Sequence, residues 1–173
     1  SNIRKISEIA KHSLGDQREC ELLFKLVNHF KPEIMLELGT SLGVNTLYQA
    51  SPATFQEFHT FEGCPHIATI AQENFEKFQL SPNIVIGNLD ETLAATVNQL
   101  SKIDYVFFDA NHQYQPTINY FEICLQKAHE HTLFIFDDIH WSEGMTQAWE
   151  EIKAHERVSL TIDLFHLGLV FFR

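Results

Sequence analysis

Three aspartates and a histidine in this 173-residue chain have the types and spacing to do chemistry. Asp109 closes the apolar run VFFD, and Asp137 and Asp138 close the run LFIFDD. Carboxylates crowded together repel and raise one another's pKa unless a cation or a donor sits between them. A hard dication such as Mg2+, which takes oxygen ligands and keeps some of its waters, resolves that conflict. Capping a helix or bracing a loop is what the same aspartates do without a metal. His112 lies three residues after Asp109. Its side chain changes charge near neutrality and can remove a proton from a hydroxyl. With ten histidines in the chain, coincidence competes with that role.

The second constellation is IMLELGTSLGVNT, Ile34 to Thr46. It reads as a short apolar strand, an acid, then a glycine-rich turn opening a helix, which brings backbone close to a nucleotide-like ligand. Glu37, Gly39, Ser41 and Gly43 follow the pattern acid-x-Gly-x-Gly-x-Gly with Ser41 at the middle glycine. A nicotinamide fingerprint starting at Gly39 requires glycine where the chain has Ser41 and Val44. An acid just before the turn favours a ligand bearing an ammonium group and would repel a pyrophosphate. Glu62 lies 25 residues after Glu37, where an acid in such a fold accepts hydrogen bonds from ribose hydroxyls. The alternative for Glu62 is an acid stabilised by a helix N-terminus. Asn88, after the next strand, can both give and accept hydrogen bonds, and Leu89 could cover a ring; a plain turn is the alternative there.

Positioning these residues requires βα units. Strands are expected at Ile34–Leu38, Glu57–Phe61, Asn83–Ile86, Asp104–Phe108 and Leu133–Phe136. Their continuous apolar character suits parallel strands buried on both faces. Helical spacing separates them, as in Ile118, Phe121, Leu125 and in Met145, Ala148, Trp149, Ile152 after Ser142, a plausible N-cap. Upstream, Ile3, Ile6, Ile9 and Ala10 suggest a first short helix, broken at Gly15–Asp16; a second stripe from Leu22 to Phe30 stops before Pro32. The end, VSLTIDLFHLGLVFFR, has two extended runs and no helix between them, so Thr161–Asp163 and Leu169–Phe172 should form an antiparallel hairpin. One domain over 1–173 is expected, with N-terminal helices in 1–31 and the α/β core in 32–173.

Composition narrows the partners. A net charge of −11 argues against a phosphate-backbone partner, and therefore against nucleic-acid substrates. No apolar run approaches the roughly 20 residues that cross a membrane. The opening SNIRKISEIAKHS has no continuous apolar core, so no signal peptide is expected. The three cysteines are odd in number and widely spaced, which fits reduced thiols in a cytoplasmic protein.

With these motifs in hand, the chain resembles class I S-adenosylmethionine-dependent methyltransferases over nearly its whole length. It is similar in particular to the small-molecule O-methyltransferase branch related to macrolide sugar O-methyltransferases and cephalosporin hydroxylase-like proteins. The resemblance implies a Rossmann-like, roughly seven-stranded, mostly parallel sheet with helices on both faces and the antiparallel C-terminal hairpin. It implies S-adenosylmethionine held by Glu37, Gly39, Thr40, Ser41, Gly43, Glu62, Gly63, Asn88, Leu89 and Asp109. It also implies a Mg2+-type ion on Asp109, Asp137 and Asp138, and His112 with Asp109 as the catalytic pair. DANHQY is similar to the branch's Asp-Gly-x-His-x-Tyr segment, with Ala110 at the glycine. Family members often have Gly-Asp where this chain has Gly87-Asn88. The acceptor is expected to be a small-molecule hydroxyl. With only a short segment for a lid, the pocket is left open or completed by another subunit of a homodimer. A metal-free methyltransferase using His112 as base, and a non-catalytic cofactor-binding module, are the competing expectations.

Overall fold

The computed structural model describes residues 17–173, in the order α1 (Gln17–Phe30), β1 (Ile34–Leu38), α2 (Val44–Ala50), β2 (Glu57–Glu62), α3 (Pro65–Lys77), β3 (Asn83–Ile86), α4 (Leu89–Gln99), β4 (Ile103–Phe108), α5 (Tyr114–Leu125), β5 (Ala128–Asp137), α6 (Glu143–Ala154), β6 (Val158–Asp163) and β7 (Leu167–Phe172). The short helix expected over Ile3 to Ala10 lies outside the described residues. The thirteen elements build one seven-stranded sheet in the order β3-β2-β1-β4-β5-β7-β6. Strands β1 to β5 pair in parallel, and β7 runs antiparallel to both β5 and β6. The direction of winding reverses between β1 and β4. At such a switch point the loops leaving the two strands diverge to opposite faces and open a crevice at the carboxyl ends.

Period-two alternation splits the strand side chains between two cores. On one face, Leu36, Leu38, Val106, Phe108, Phe134 and Phe136 meet Leu93 and Val97 of α4, Phe121 of α5 and Trp149 and Ile152 of α6. On the other, Met35, Tyr105, Phe107, Leu133 and Ile135 meet Leu23 and Val27 of α1 and Ala50 at the end of α2. Burying each of these large apolar side chains contributes about 1.5–3 kcal/mol. Phe108 and Phe136 stack with centroids 4.1 Å apart. These residues immediately precede Asp109 and Asp137, so the strand ends carrying the acids are anchored by a packed aromatic pair.

Local chemistry sets the helix limits. Ser142 caps α6 by accepting from the Met145 N–H at 3.2 Å, as its position suggested. Pro32 stops the chain from continuing α1, whose C-terminal neighbour Lys31 turns into the left-handed region at φ 50°. β5 and β6 are longer than expected by three residues or more, and β2, β4 and β7 by one or two. β5 begins at Ala128, which pairs with Ile103, and the ladder is then interrupted across the polar residues 129–132 before it resumes at Tyr105 and Leu133. β6 begins at Val158, and as an edge strand it carries mostly exposed side chains, which erases the apolar signature.

Candidate functional site

The crevice is built from the loops after β1, β2, β3, β4 and β5. Its centre is the approach of Gly39 to Asp109. The Asp109 N–H bonds the Leu38 carbonyl at 2.9 Å, and a Cβ placed on Gly39 would stand 2.1 Å from the Asp109 carbonyl oxygen. Gly39 adopts φ +110°, where side chains are strained. The Gly39 and Thr40 N–H groups both point at the Phe61 carbonyl, at 3.2 and 2.9 Å. The glycine-rich turn is thereby tied to β2.

Glu62 holds that turn from the other side. Its Oε2 accepts from the Ser41 N–H at 2.9 Å and its Oε1 from the Cys64 N–H at 2.8 Å. Ser41 tolerates φ 48° in this arrangement without being glycine. Each carboxylate oxygen keeps a lone pair for a ligand hydroxyl. Gly39, Phe61, Glu62, Gly63, Gly87, Asn88, Leu89 and Ala110 line one hollow of about 260 Å³. Of these, Phe61, Gly87 and Ala110 were not among the residues expected to hold the cofactor; each adjoins one that was. Asn88 also caps α4, accepting from the Asp90 N–H at 3.2 Å, so the turn reading and the lining reading hold together. A larger hollow of about 440 Å³ lies around His59, Leu80 and Asn83. Asn83 and His59 face one another at the start of the β2–β3 ladder, at the far end from the strand-end acids.

Glu37 sits beneath the turn, fully buried. Thr46 and Thr60 donate their hydroxyls to its Oε2, and Gln49 donates to its Oε1 at 2.6 Å. It thus fastens β1 to β2 and to α2. Burial raises its pKa to about 7, against the lowering effect of the three donors. In the unfolded chain the group ionises near 4.5. As pH rises between these values, the unfolded state has already released the proton that the folded state retains, so stability falls through this window. The full difference is on the order of 3 kcal/mol. Glu37→Gln should cancel that decline. Urea unfolding from pH 4.5 to 8 should show wild type losing ground to the variant, and parallel curves would remove the perturbation from Glu37.

On the acceptor side, Asp109 and Asp137 converge from adjacent parallel strands. His112 Nε2 lies 3.6 Å from Asp109 Oδ1 and 3.9 Å from both Asp137 Oδ2 and Asp138 Oδ2. That nitrogen is buried and has no hydrogen-bond partner. Burial, then the neighbouring Asp137 charge, holds Asp109 well above the usual carboxylate range. Burial and the Asp138 charge push Asp137 up to about 6. Burial keeps the His112 imidazole below its ordinary value, against the pull of Asp138. Ligand atoms of Asp109, His112 and Asp137 lie within 4.8 Å of one another. His112 therefore joins the tightest group of three, and Asp138 stands at its edge in a left-handed conformation, φ 54°. An orphaned imidazole nitrogen facing three mutually repelling carboxylates is a donor set that fits a hard or borderline dication.

Asn45 is a contact that the motif reading passed over. It opens the first turn of α2, donates to Asp109 Oδ2 at 3.2 Å and accepts from the Cys20 thiol at 3.1 Å. Its signal was present only as a polar residue inside the GVNT turn. At the other end of the hollow, Tyr120 donates to Asp90 at 2.6 Å and accepts from Asn111 at 3.1 Å. Trp141 is 74% exposed and Phe165 66% exposed. These are large apolar surfaces on the loops that flank the acidic cluster.

The sequence profile of a methyltransferase domain family matches residues 36–139, which run from β1 through the acid pair. Solved structures share the whole architecture. An O-methyltransferase from Bacillus cereus in complex with SAH superposes with a TM-score of 0.79 at 22% identity, covering 98% of this chain and 93% of that one. The O-methyltransferase TomG from Streptomyces achromogenes, involved in tomaymycin synthesis and bound to SAM, gives 0.80 at 16% identity over 99% and 91%. The SAH-bound Podospora anserina methyltransferase PaMTH1 gives 0.80 at 14% identity over 99% and 89%. Among the described residues no helix is long and apolar enough to cross a membrane.

Proposed function

Because the chain belongs to this methyltransferase domain family, we propose that it transfers the methyl group of S-adenosylmethionine to a hydroxyl of a small molecule, with a divalent cation at the acidic cluster. The observation that carries the reading is the hollow between Gly39, Glu62 and Asn88 opening beside Asp109, His112 and Asp137. A nucleoside fits the first part. Glu62 accepts the ribose hydroxyls, Leu89 and Ala110 offer apolar surface to a base, and the turn from Gly39 to Gly43 faces the amino-acid portion. Asp109, at the junction of the two parts, faces the cofactor's ammonium group. A cofactor bound this way supplies an already activated methyl group, and a dication beside it would lower the acceptor hydroxyl's pKa and orient it.

The protein's own work is alignment and proton removal. Asp109, Asp137 and Asp138 would hold the cation, which would orient the acceptor oxygen toward the methyl group and offset its negative charge. His112, neutral at neutral pH, has an unpartnered nitrogen aimed into this space. It serves either as the base that takes the hydroxyl proton or as a nitrogen ligand beside the two nearest carboxylates. The carboxylate cluster and the overall charge of −11 favour an uncharged or cationic acceptor over a polyanion. A homodimer that completes the open acceptor side is part of the proposal.

Calorimetric titration with SAH tests the cofactor half directly. Wild type should bind, and Glu62→Ala should bind more weakly by about 1–3 kcal/mol, the cost of losing hydrogen bonds to a charged group. No heat with wild type would leave a fold without its cofactor and overturn the assignment. An unchanged dissociation constant in Glu62→Ala would move the ribose elsewhere.

A further inference from the structure

The side chain with the most convergent partners on the acceptor side belongs to neither the glycine-rich turn nor the acidic cluster. Asp163 ends β6 and lies outside the segment shared with the methyltransferase family profile. Its Oδ2 accepts from His140 Nε2 at 2.9 Å and from Trp149 Nε1 at 3.1 Å, and its Oδ1 accepts from the Phe165 N–H at 2.8 Å. One carboxylate thus gathers donors from the loop after β5, from α6 and from the β6–β7 turn. Charge-assisted bonds of this kind are roughly twice as strong as neutral ones.

His140 follows Asp138 by two residues, and its ring lies 5.6 Å from the Phe165 ring. The Ile139 N–H reaches the His166 carbonyl at 3.4 Å, and the Trp141 N–H closes a turn on the Asp138 carbonyl at 2.9 Å. The loop carrying the acid pair is therefore laid against the hairpin tip. Among the described residues the shortest polar tie between them is the His140–Asp163 pair, at 2.9 Å. Asp138 holds φ 54° and Phe165 holds φ 74°. Non-glycine residues in that region persist only when their surroundings over-determine them. On the far side of the hairpin, Gly168 pairs with Asp163, and a Cβ there would stand 2.7 Å from the Trp149 ring. The tip has little room to shift without disturbing α6.

We propose that Asp163 is a positioning residue which, through His140, fixes the backbone of Asp137 and Asp138 and so the spacing of the carboxylates that receive the cation. The proposal rests on the cation-assisted reading above. A purely structural tie between hairpin and helix would lower stability and leave the cluster's geometry alone, so the decisive readout is metal affinity measured apart from stability.

Mn2+ is the probe. Its free-ion electron paramagnetic resonance signal gives the affinity of wild type, Asp163→Asn and His140→Ala, with SAH affinity and thermal midpoint measured on the same samples. Asp163→Asn keeps the shape but puts an amide donor among three donors. His140→Ala cuts the tie from the other side and leaves the Trp149 and Phe165 bonds in place. Both should weaken Mn2+ binding by about ten- to a hundredfold, the usual consequence of losing a partner behind a metal ligand, with SAH affinity changed less than about twofold. Mn2+ affinity equal to wild type in both folded variants would overturn the proposal, whatever happens to the midpoint.

If wild type binds no Mn2+, the cation reading fails, and hydrogen exchange of residues 137–141 decides the positioning claim alone. Faster exchange confined to that loop in both variants would support it. Unchanged exchange would overturn it.

Discussion

Gly39→Val should leave a chain that binds no cofactor and unfolds far more readily. The side chain would begin 2.1 Å from the Asp109 carbonyl oxygen, a backbone atom held in the β1–β4 junction. The valine would also have to adopt φ +110°, a conformation β-branched residues avoid. Backbone strain of about 1–3 kcal/mol adds to the cost of prising two central strands apart. A total of roughly 4 kcal/mol or more places the substitution in the exceptional tail of single-site effects. Urea unfolding should report the loss of stability and calorimetry with SAH the loss of binding. Gly39→Ala carries the same Cβ with less bulk. If that variant bound SAH as wild type does, the junction would be more pliant than its geometry implies.

On the proposal that the acidic cluster holds a cation, its removal should stop turnover while sparing the cofactor. A metal acting on the acceptor oxygen is worth several kcal/mol in the transition state, which is on the order of 10³-fold in rate. Excess chelator, or Asp137→Asn, should therefore abolish methyl transfer to whichever acceptor is used. Glu62 and the turn amides need no metal, so SAH should still bind. Restored activity on adding Mg2+ or Mn2+ back to the chelated wild type, but not to Asp137→Asn, would tie the effect to this cluster. Full activity in chelator would move the chemistry to His112 alone.

The strand ends that carry these groups were legible before any coordinates. Alternating apolar strands and amphipathic helices specify the parallel sheet because each strand must be apolar on both faces when helices cover both. The hairpin was legible for the opposite reason: no helical period separates its two extended runs. β5 was read short because only Ala128 of its first five residues pairs with β4, and the polar run 129–132 across the register shift carries no apolar signature. The acids at or near the carboxyl ends of β1, β2, β4 and β5 were singled out because motif and strand end coincide. His112 was singled out as a candidate base, whereas its seat among three carboxylates depends on the turn after β4, where Asn111 sits at φ 58°. Asn45 and Asp163 were invisible. Each acts on a partner 64 or 23 residues away, and contacts across such separations are set by packing angles that a linear pattern does not encode.

Glu62 has a kinetic corollary. Its carboxylate already binds the Ser41 and Cys64 N–H groups, so the two loops flanking the nucleoside are joined before a ligand arrives. Little ordering of the chain is left for the encounter itself, and the entropy of assembling that wall has been met in folding. Association should then proceed as a single concentration-dependent phase, without a slow isomerisation following it. On the proposed cofactor pose, the same carboxylate makes cofactor loss and loop release one event: whatever detaches Glu62 from the turn would remove the ribose acceptor and the wall together.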